Sequence, residues 1–341
     1  MVSTTMSRHF GAGANYLNTA SVGIPPRQGV TALRQAIDDW EAGQCDPPAY
    51  DESVHRSRAA FGKLVGVPTS WVALTGAASI TAGLVATNLE AGSRVLCAEE
   101  DFTSVLFPFL VDERLTVEFV PLAELLDRVD ATVDLVAVSA VQSVDGRVLD
   151  MARLAEAAQQ FQVKTFLDLT QAAGWLPLDV SQFDVTVAGA YKWLCCPRGI
   201  GFTTVHPDAD WMRSRLAGWY SGDGPWQSVY GPPLRLAPDA QQFNISPAWM
   251  DVEASAPTLE LFDEIGVETI YAHNVALANR FRAGMGLSTA DSAIVSVESE
   301  RAPLLTQNGV ACAVRDGKLR VAFHLYNSVD DVDRAIEIMT A

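Results

Sequence analysis

Residues 184–201 read DVTVAGAYKWLCCPRGIG, and this stretch places a lysine just beyond a short apolar strand. The β-branched run 184–188 predicts a buried strand, and the proline and glycines after Lys192 predict a loop. We therefore expect Lys192 at the carboxyl edge of a sheet, between Tyr191 and Trp193. A lysine in such surroundings is a candidate nucleophilic amine with a depressed pKa. The alternative is a solvated lysine beside a loop.

Short apolar runs alternate with helical stretches on both sides of this segment. Strands and helices that alternate in this way predict an α/β fold with a mostly parallel, seven-stranded sheet that is covered on both faces. Ligands of such sheets bind beyond the carboxyl ends of the strands. The predicted strands are 71–75, 94–98, 117–121, 133–139, 163–168, 184–188 and 200–205, and the predicted helices are 78–89, 104–111, 122–128 and 151–161.

The C-terminal part of the chain follows a different pattern. Residues 206–250 are rich in Gly, Pro, Trp and Tyr and predict a long ordered loop, a kind of segment that is usually functional. The pattern beyond the loop predicts a smaller α/β lobe at 251–341. Its expected elements are a helix at 254–285, strands at 293–297, 310–315 and 318–323, and a final helix at 329–339.

An acid stands at the end of the strand 163–168. In the sequence DLTQ, Asp168 closes this strand and faces the same edge as Lys192. A carboxylate there suits a protonated pyridine nitrogen, and that pairing makes a pyridine ring an electron sink for carbanions. Gln171 is then placed to hydrogen-bond a ring hydroxyl. The alternative role for Asp168 is to cap the next helix.

Small residues mark the junction between strand 71–75 and helix 78–89. The turn TGAAS at 75–79 lets backbone amides at a helix N-terminus approach a phosphate, which the helix dipole also favours. Many strand-to-helix turns share this composition, so the turn gains weight only together with Lys192 and Asp168.

The segments TGAAS, DLTQ and AYKWLCCPRGIGF, in this order, resemble the class V aminotransferase family. That family includes kynureninases, cysteine desulfurases and isopenicillin N epimerase-like proteins. The resemblance implies the aspartate aminotransferase-like fold, pyridoxal 5'-phosphate as cofactor, an α-amino acid as substrate and a homodimer with shared active sites. It further implies a large cofactor-binding domain at 15–250 and a small domain at 251–341, on which segment 1–14 packs.

The resemblance also implies roles for individual residues. Lys192 forms the Schiff base with the cofactor, Asp168 pairs with the pyridine nitrogen, and Arg320 grips the substrate carboxylate, a task that suits a bidentate guanidinium. Gln142 and Gln171 lie near the ring. The other implied contacts are Phe102 stacked on the ring, the amides of Ala77 and Ala78 with Tyr191 and Trp219 at the phosphate, and Ser246 at the phosphate of the neighbouring subunit.

Two positions near the lysine depart from the family pattern. Relatives often carry Ser or Thr where this chain has Gly189, and they more commonly carry His where it has Tyr191. We therefore expect the cofactor phosphate to depend more than usual on backbone amides.

The kynureninase-like residues favour lyase chemistry, either β-elimination or C–S or C–C cleavage. They include Phe102, the pair Tyr191-Lys192 and segment 218–220. Since they hold the cofactor and do not select the bond, an aminotransferase or epimerase is the alternative, and a non-catalytic amino-acid or cofactor-binding protein is a more distant one. We expect Cys312, within VACAV, to be a buried strand cysteine, which disfavours persulfide-forming desulfuration.

Composition excludes several other classes of protein. The 341 residues carry 41 acids and 24 bases, a net charge of −17, whereas a nucleic-acid partner would need a basic footprint. No apolar run reaches the roughly 18 residues that span a bilayer, and the first fifteen residues lack a secretory core. The odd number of cysteines predicts reduced thiols and a cytoplasmic location, and the scattered histidines predict no metal site.

Overall fold

Seven strands form the main sheet, as predicted. The computed structural model describes residues 6–11 and 13–341. The strands are β1 (Val72–Thr75), β2 (Arg94–Ala98), β3 (Thr116–Val120), β4 (Leu135–Ser139), β5 (Lys164–Asp168), β6 (Val185–Gly189) and β7 (Gly201–Val205). Their order across the sheet is β1-β7-β6-β5-β4-β2-β3. The strands from β6 to β3 are parallel, and β7 runs antiparallel to both β1 and β6.

Helices cover both faces of this sheet. Every residue of β4, β6 and β7 is buried, as a parallel sheet with two covered faces requires. In β1, Leu74 and Ala73 belong to different apolar clusters on opposite faces. The helices are α1 (Arg27–Glu41), α2 (Tyr50–Leu64), α3 (Ala78–Asn88), α4 (Thr103–Leu110), α5 (Leu122–Leu125), α6 (Met151–Phe161), α7 (Trp249–Ile265), α8 (Val267–Gly284), α9 (Ala302–Gln307) and α10 (Val329–Thr340).

The C-terminal lobe contains a second, three-stranded sheet. Its strands are β8 (Ile294–Val297), β9 (Ala313–Arg315) and β10 (Lys318–Ala322), in the antiparallel order β8-β10-β9. The last helix begins at Ser328, whose hydroxyl accepts the N–H of Asp331, as its sequence predicted.

Two predictions for this lobe were wrong in detail. The single helix at 254–285 is two helices, because Gly266 adopts a φ of +84° between them. The strand predicted at 310–315 is shortened, since Ala311 pairs with the N-terminal segment instead, exchanging backbone hydrogen bonds with Asn15 and Leu17 at 2.8 Å each. The expectation that Cys312 is a buried strand cysteine fails with this strand, because Cys312 precedes β9 and is half-buried.

Helices α1 and α2, which were not predicted, pack against α7. A Cβ at Gly29 of α1 would lie 2.3 Å from the hydroxyl of Thr258, so these helices approach closely because of the glycine. Arg56 of α2 forms an ion pair with Glu260 of α7 at 2.6 Å. The division of the chain at residue 250 stays a prediction, because α7 lies on both sides of it and packs on N-terminal helices.

The N-terminal segment runs along the small lobe. Asn18 bridges to Ala322 of β10, and the ring of Phe10 packs edge-on against Tyr326 with centroids 5.2 Å apart. The expectation that segment 1–14 packs on this lobe falls partly on residues 1–5 and 12, which lie outside the described residues. Among the residues that the structure does describe, no helix is both long and apolar enough to cross a membrane.

Candidate active site

The carboxyl ends of β5 and β6 bring the predicted lysine and acid to one cavity. The N–H of Leu169 donates to the carbonyl of Val187 at 2.6 Å and holds the two strand ends together. The cavity between them has a volume of about 220 Å³. Of the predicted site residues, those that line it are Ala77, Ala78, Phe102, Asp168, Gln171, Tyr191 and Lys192.

Lys192 is buried in the wall of this cavity. Its Nζ lies 5.3 Å from the centroid of the Phe102 ring and 5.7 Å from that of Tyr191. Burial lowers the pKa of Lys192 to about 8, although the Asp168 carboxylate opposes the shift. A substantial fraction of the amine is therefore neutral and nucleophilic near physiological pH, as the sequence suggested.

Asp168 is the buried acid beside the lysine. Its Oδ1 accepts the N–H of Thr170 at 2.7 Å, and the Thr170 hydroxyl accepts the N–H of Gly189 at 2.9 Å. Burial raises the pKa of Asp168, and the hydrogen bonds from Thr170 and the charge of Lys192 counteract it. An acid that is buried without an ion pair is well suited to a protonated ring nitrogen.

A second buried acid, Asp101, was missed by the sequence analysis. It accepts the backbone N–H of Ser139 at 2.6 Å and that of Phe102 at 2.7 Å, and so fixes Phe102 at the start of α4. Gln142 donates to the same carboxylate at 3.2 Å, and its Oε1 has no partner among the described residues. Gln142 thus lies behind the cavity wall with Asp101, and its predicted approach to the ring stays a prediction.

Gln171 lines the cavity, and its side-chain amide makes three hydrogen bonds. Its Nε2 donates to the Ala20 carbonyl at 3.0 Å and to the Ser143 hydroxyl at 2.9 Å. Its Oε1 accepts the indole N–H of Trp193 at 2.8 Å. The side chain therefore ties the N-terminal segment to the lysine loop, and a contact with a ring hydroxyl stays a prediction.

The N-terminus of α3 forms one end of the cavity. Ala77 is the N-cap residue, and no side chain caps the helix there. The first N–H groups of a helix have no partners within it, so those around Ala77 and Ala78 are oriented to bind an anion. Tyr191 lies at the same end, half-buried, and burial raises the pKa of its hydroxyl.

Arg320 of β10 approaches the cavity from the small lobe. Its guanidinium donates to the carbonyl and hydroxyl of Ser143, which lines the cavity, and to the hydroxyl of Ser21 at 2.8 Å. Burial lowers its pKa to about 10, and the charge of Arg315 adds to the shift. No carboxylate of the described chain pairs with Arg320, so its positive charge is available to an anionic substrate.

Two predicted residues lie away from this cavity within one chain. Trp219 begins a short 3₁₀-helix, and its ring packs on Trp226 with centroids 5.0 Å apart. Ser246 is exposed in the segment that follows Ile245, whose N–H donates to the carbonyl of Leu74 at 3.3 Å. Neither residue lines the cavity of its own subunit, so their predicted contacts stay predictions.

A buried lysine and a buried acid at adjoining strand ends, facing an uncapped helix, define a pyridoxal-phosphate enzyme of the α/β type. The family profile Aminotransferase class-V matches residues 51–308. The chain therefore belongs to the class V aminotransferase family, and its cofactor is pyridoxal phosphate.

Relatives in this family carry several different names. An uncharacterised aminotransferase of Bacillus subtilis, YcbU, is 28% identical over 316 residues, which cover 85% of this chain and 84% of the relative. The kynureninase of Yarrowia lipolytica is 33% identical over 155 residues, covering 43% of this chain and 35% of the enzyme. Isopenicillin N epimerase of Amycolatopsis lactamdurans is 26% identical over 240 residues, 57% of this chain and 60% of the enzyme.

Solved structures confirm the predicted fold. The cystine C-S lyase C-DES superposes with a TM-score of 0.86 and 19% identity, covering 96% of this chain and 98% of that one. The Escherichia coli cysteine desulfurase CsdA gives a TM-score of 0.83 and 18% identity, covering 98% and 97% of the two chains.

The side chains around the cavity fit pyridoxal phosphate. The amine of Lys192 is available for the aldehyde, the Asp168 carboxylate for the ring nitrogen, and the α3 N-terminus for the phosphate. The ring of Phe102, which is 44% exposed, lines the cavity with its centroid 5.3 Å from Nζ of Lys192 and would cover a flat ligand. Each of these features would serve a different part of that one molecule.

Proposed function

We propose that the protein is a lyase that acts on an α-amino acid by β-elimination or by C–S or C–C cleavage. The observation that carries amino-acid chemistry at this site is a buried amine with a lowered pKa, Lys192, in a cavity that has behind its wall an arginine, Arg320, with no ion-pair partner among the described residues. The kynureninase-like residues Phe102 and Tyr191, which line the cavity, and the kynureninases among the relatives support the choice of a lyase.

Each residue has a separate task in this proposal. Arg320 holds the substrate carboxylate and thereby orients the Cα–H bond, and Lys192 removes the Cα proton and later returns a proton. Asp168 keeps a proton on the ring nitrogen. The bound cofactor supplies an electron sink for the negative charge at Cα.

Aminotransfer or epimerisation on the same residues is the second candidate function. It is favoured by the near full-length match to the Bacillus subtilis protein that is named an aminotransferase. Lyase, transferase and epimerase share the removal of the Cα proton and differ in where the proton returns and in the leaving group. A protein that only binds amino acids is less well supported, because Lys192, Asp168 and Arg320 are all present around one cavity.

A desulfurase that forms a persulfide on its own cysteine is not proposed. Cys312 is half-buried beside the hydroxyl of Thr306, with Sγ and Oγ1 3.8 Å apart. Burial raises the pKa of its thiol, whereas a sulfur acceptor needs a thiolate.

We also propose a homodimer in which Trp219 and Ser246 reach the partner's cavity. The large apolar residues Phe107, Leu110 and Val111 of the α4 region are exposed, Val111 by 78%. Phe107 and Val111 line a groove of about 780 Å³ between α3 and α4 that shares Ser79 and Ser104 with the cavity. An exposed apolar patch beside an active site is typical of an interface that completes the site.

The cytoplasmic location is likewise a proposal, which the unpaired cysteines support.

Product analysis tests the proposed reaction. The purified protein is incubated with each amino acid, first alone and then with a keto acid, and keto acid, ammonia, sulfide and new amino acid are measured. A lyase releases its products without an acceptor. If turnover required a keto acid and yielded a new amino acid, the aminotransferase would replace the lyase.

A further inference from the structure

A second cation besides Lys192, Arg198, lines the cavity. The structure places it in the wall with Gly76, Ala77 and Ala78 of the α3 N-terminus, and with the buried Lys192. Its guanidinium carbon lies 5.1 Å from the centroid of the Tyr191 ring. Arg198 has no ion-pair partner among residues 6–11 and 13–341, although the whole chain has a net charge of −17.

The loop that carries Arg198 is held against the N-terminal end of α3. The carbonyl of Gly199 lies 3.5 Å from where a Cβ of Gly76 would be, so the loop touches the turn that precedes α3. Gly199 has a φ of +130°, and a Cβ there would lie 2.7 Å from Oδ2 of Asp251. The backbone at Arg198 is therefore fixed by close contacts on two sides. Asp251 itself forms no ion pair with Arg198.

The departures from the family pattern are part of the same arrangement. A Cβ at Gly189 would lie 3.3 Å from Cε1 of Tyr191, so a Ser or Thr there would crowd the tyrosine ring. The small residue leaves room for the tyrosine ring, and the guanidinium of Arg198 lies over that ring. At position 189 the chain therefore lacks a side-chain donor that relatives often have, and it carries a guanidinium nearby.

We propose that Arg198 is a cofactor-binding residue that pairs with the phosphate of pyridoxal phosphate, in place of the side-chain donor usual at position 189. A guanidinium suits a phosphate because it forms two parallel charge-assisted hydrogen bonds. The α3 N-terminus supplies backbone amides on the other side of the same anion. This inference rests on cofactor binding at Lys192, and it concerns the phosphate group alone.

The test compares two aldehydes that differ only in the phosphate. Affinities for pyridoxal phosphate and for pyridoxal are measured by absorbance titration of the cofactor-free full-length protein, for the native chain and for Arg198→Gln. We expect the substitution to weaken the binding of pyridoxal phosphate about tenfold or more and the binding of pyridoxal by less than about threefold. Inorganic phosphate, as a competitor of pyridoxal phosphate, should lose affinity by a similar factor. Arg198→Lys should recover part of the loss.

Control measurements distinguish phosphate binding by Arg198 from other roles of this residue. Arg215→Gln removes an exposed arginine away from the cavity and should leave both affinities unchanged. Equal weakening of the two aldehydes by Arg198→Gln would mean that Arg198 only supports Tyr191, and no weakening of either would mean that it does not contact the cofactor; both overturn the proposal. Failure of the native chain to bind either aldehyde would instead overturn cofactor binding itself. Thermal unfolding of each variant verifies that it is folded.

Discussion

Two arginines bring positive charge to the active-site cavity, but they are held in different ways. The first, Arg198, is exposed and lines the cavity together with the α3 N-terminus. The second, Arg320, is buried, and its guanidinium is held by Ser21 and Ser143, which are distant in sequence. The first stays accessible to solvent, whereas the second is fixed by hydrogen bonds before a ligand arrives. This difference suggests that the first binds a permanent cofactor and the second discriminates among substrates.

The largest effect is expected at Asp168, the buried acid at the end of β5. Asp168→Asn keeps the shape and the hydrogen bond from Thr170 but removes the negative charge, so the ring nitrogen loses its proton. We expect kcat to fall about a thousandfold, within the range of acid–base effects, while the protein still retains cofactor. Steady-state kinetics and absorbance measure the two quantities. Asp101→Asn, at the other buried acid, is the matched variant and should reduce kcat far less.

Arg320→Ala should affect substrate binding without affecting cofactor binding. Loss of a buried guanidinium that binds a carboxylate should lower kcat/KM for amino acids about a hundredfold and leave cofactor affinity within a few fold. Kinetics with an amino acid and with the corresponding amine, which lacks the carboxylate, provide the measurement. An equal loss for both substrates would contradict the role of Arg320.

Lys192 should destabilise the cofactor-free protein at neutral pH. Its pKa is about 8 in the folded chain and near 10.5 in the unfolded one, because burial disfavours the charged form. The unfolded state therefore binds more protons between these values, so stability rises with pH across this window and the full penalty is present below about pH 8. We expect cofactor-free Lys192→Met to be more stable than the native chain by about 2 kcal/mol at pH 7, and by little at pH 10.5.

Urea unfolding at a series of pH values checks this prediction. Lys164→Met is the control for loss of a lysine, because its ammonium lies over the Trp211 ring, 5.7 Å from the centroid, and outside the cavity. A stability difference for Lys192→Met that did not change between pH 7 and pH 10.5 would show that the amine is charged in the folded protein.

The smallest effect is expected at Ser21. Its hydroxyl accepts hydrogen bonds from Arg320 at 2.8 Å and from Arg315 at 3.4 Å. Ser21→Ala should free Arg320 without removing its charge, and so raise KM for the amino acid about fivefold with kcat little changed. The exposed Ser288→Ala is the control. Kinetics that match the native chain would mean that Ser143 alone positions Arg320.

The parts of the fold that were predicted are those indicated by short, continuous stretches of the sequence. Strands such as β4 and β6 are continuous apolar runs because both faces are buried, and Lys192 and Asp168 follow directly from the strand ends. The contacts of Arg320 with Ser21 and Ser143 depend on three elements far apart in sequence, which no local pattern reveals. Asp101 was missed because it resembles an ordinary turn residue, although its position three residues after the end of β2 was a usable signal. The predicted phosphate contacts of Trp219 and Ser246 would need a second subunit and stay predictions.

The most direct test of the account is to locate the cofactor on the chain. The sequence contains four lysines, and the other three are unlike Lys192: Lys63 and Lys318 pair with acids at 2.8 and 3.2 Å, and Lys164 lies over Trp211. Reduction of the purified protein with borohydride, digestion and mass spectrometry should find the pyridoxyl-phosphate group on Lys192 alone, and the visible absorbance band should disappear. A band that reduction does not fix, or a group fixed to any other lysine, would contradict the account.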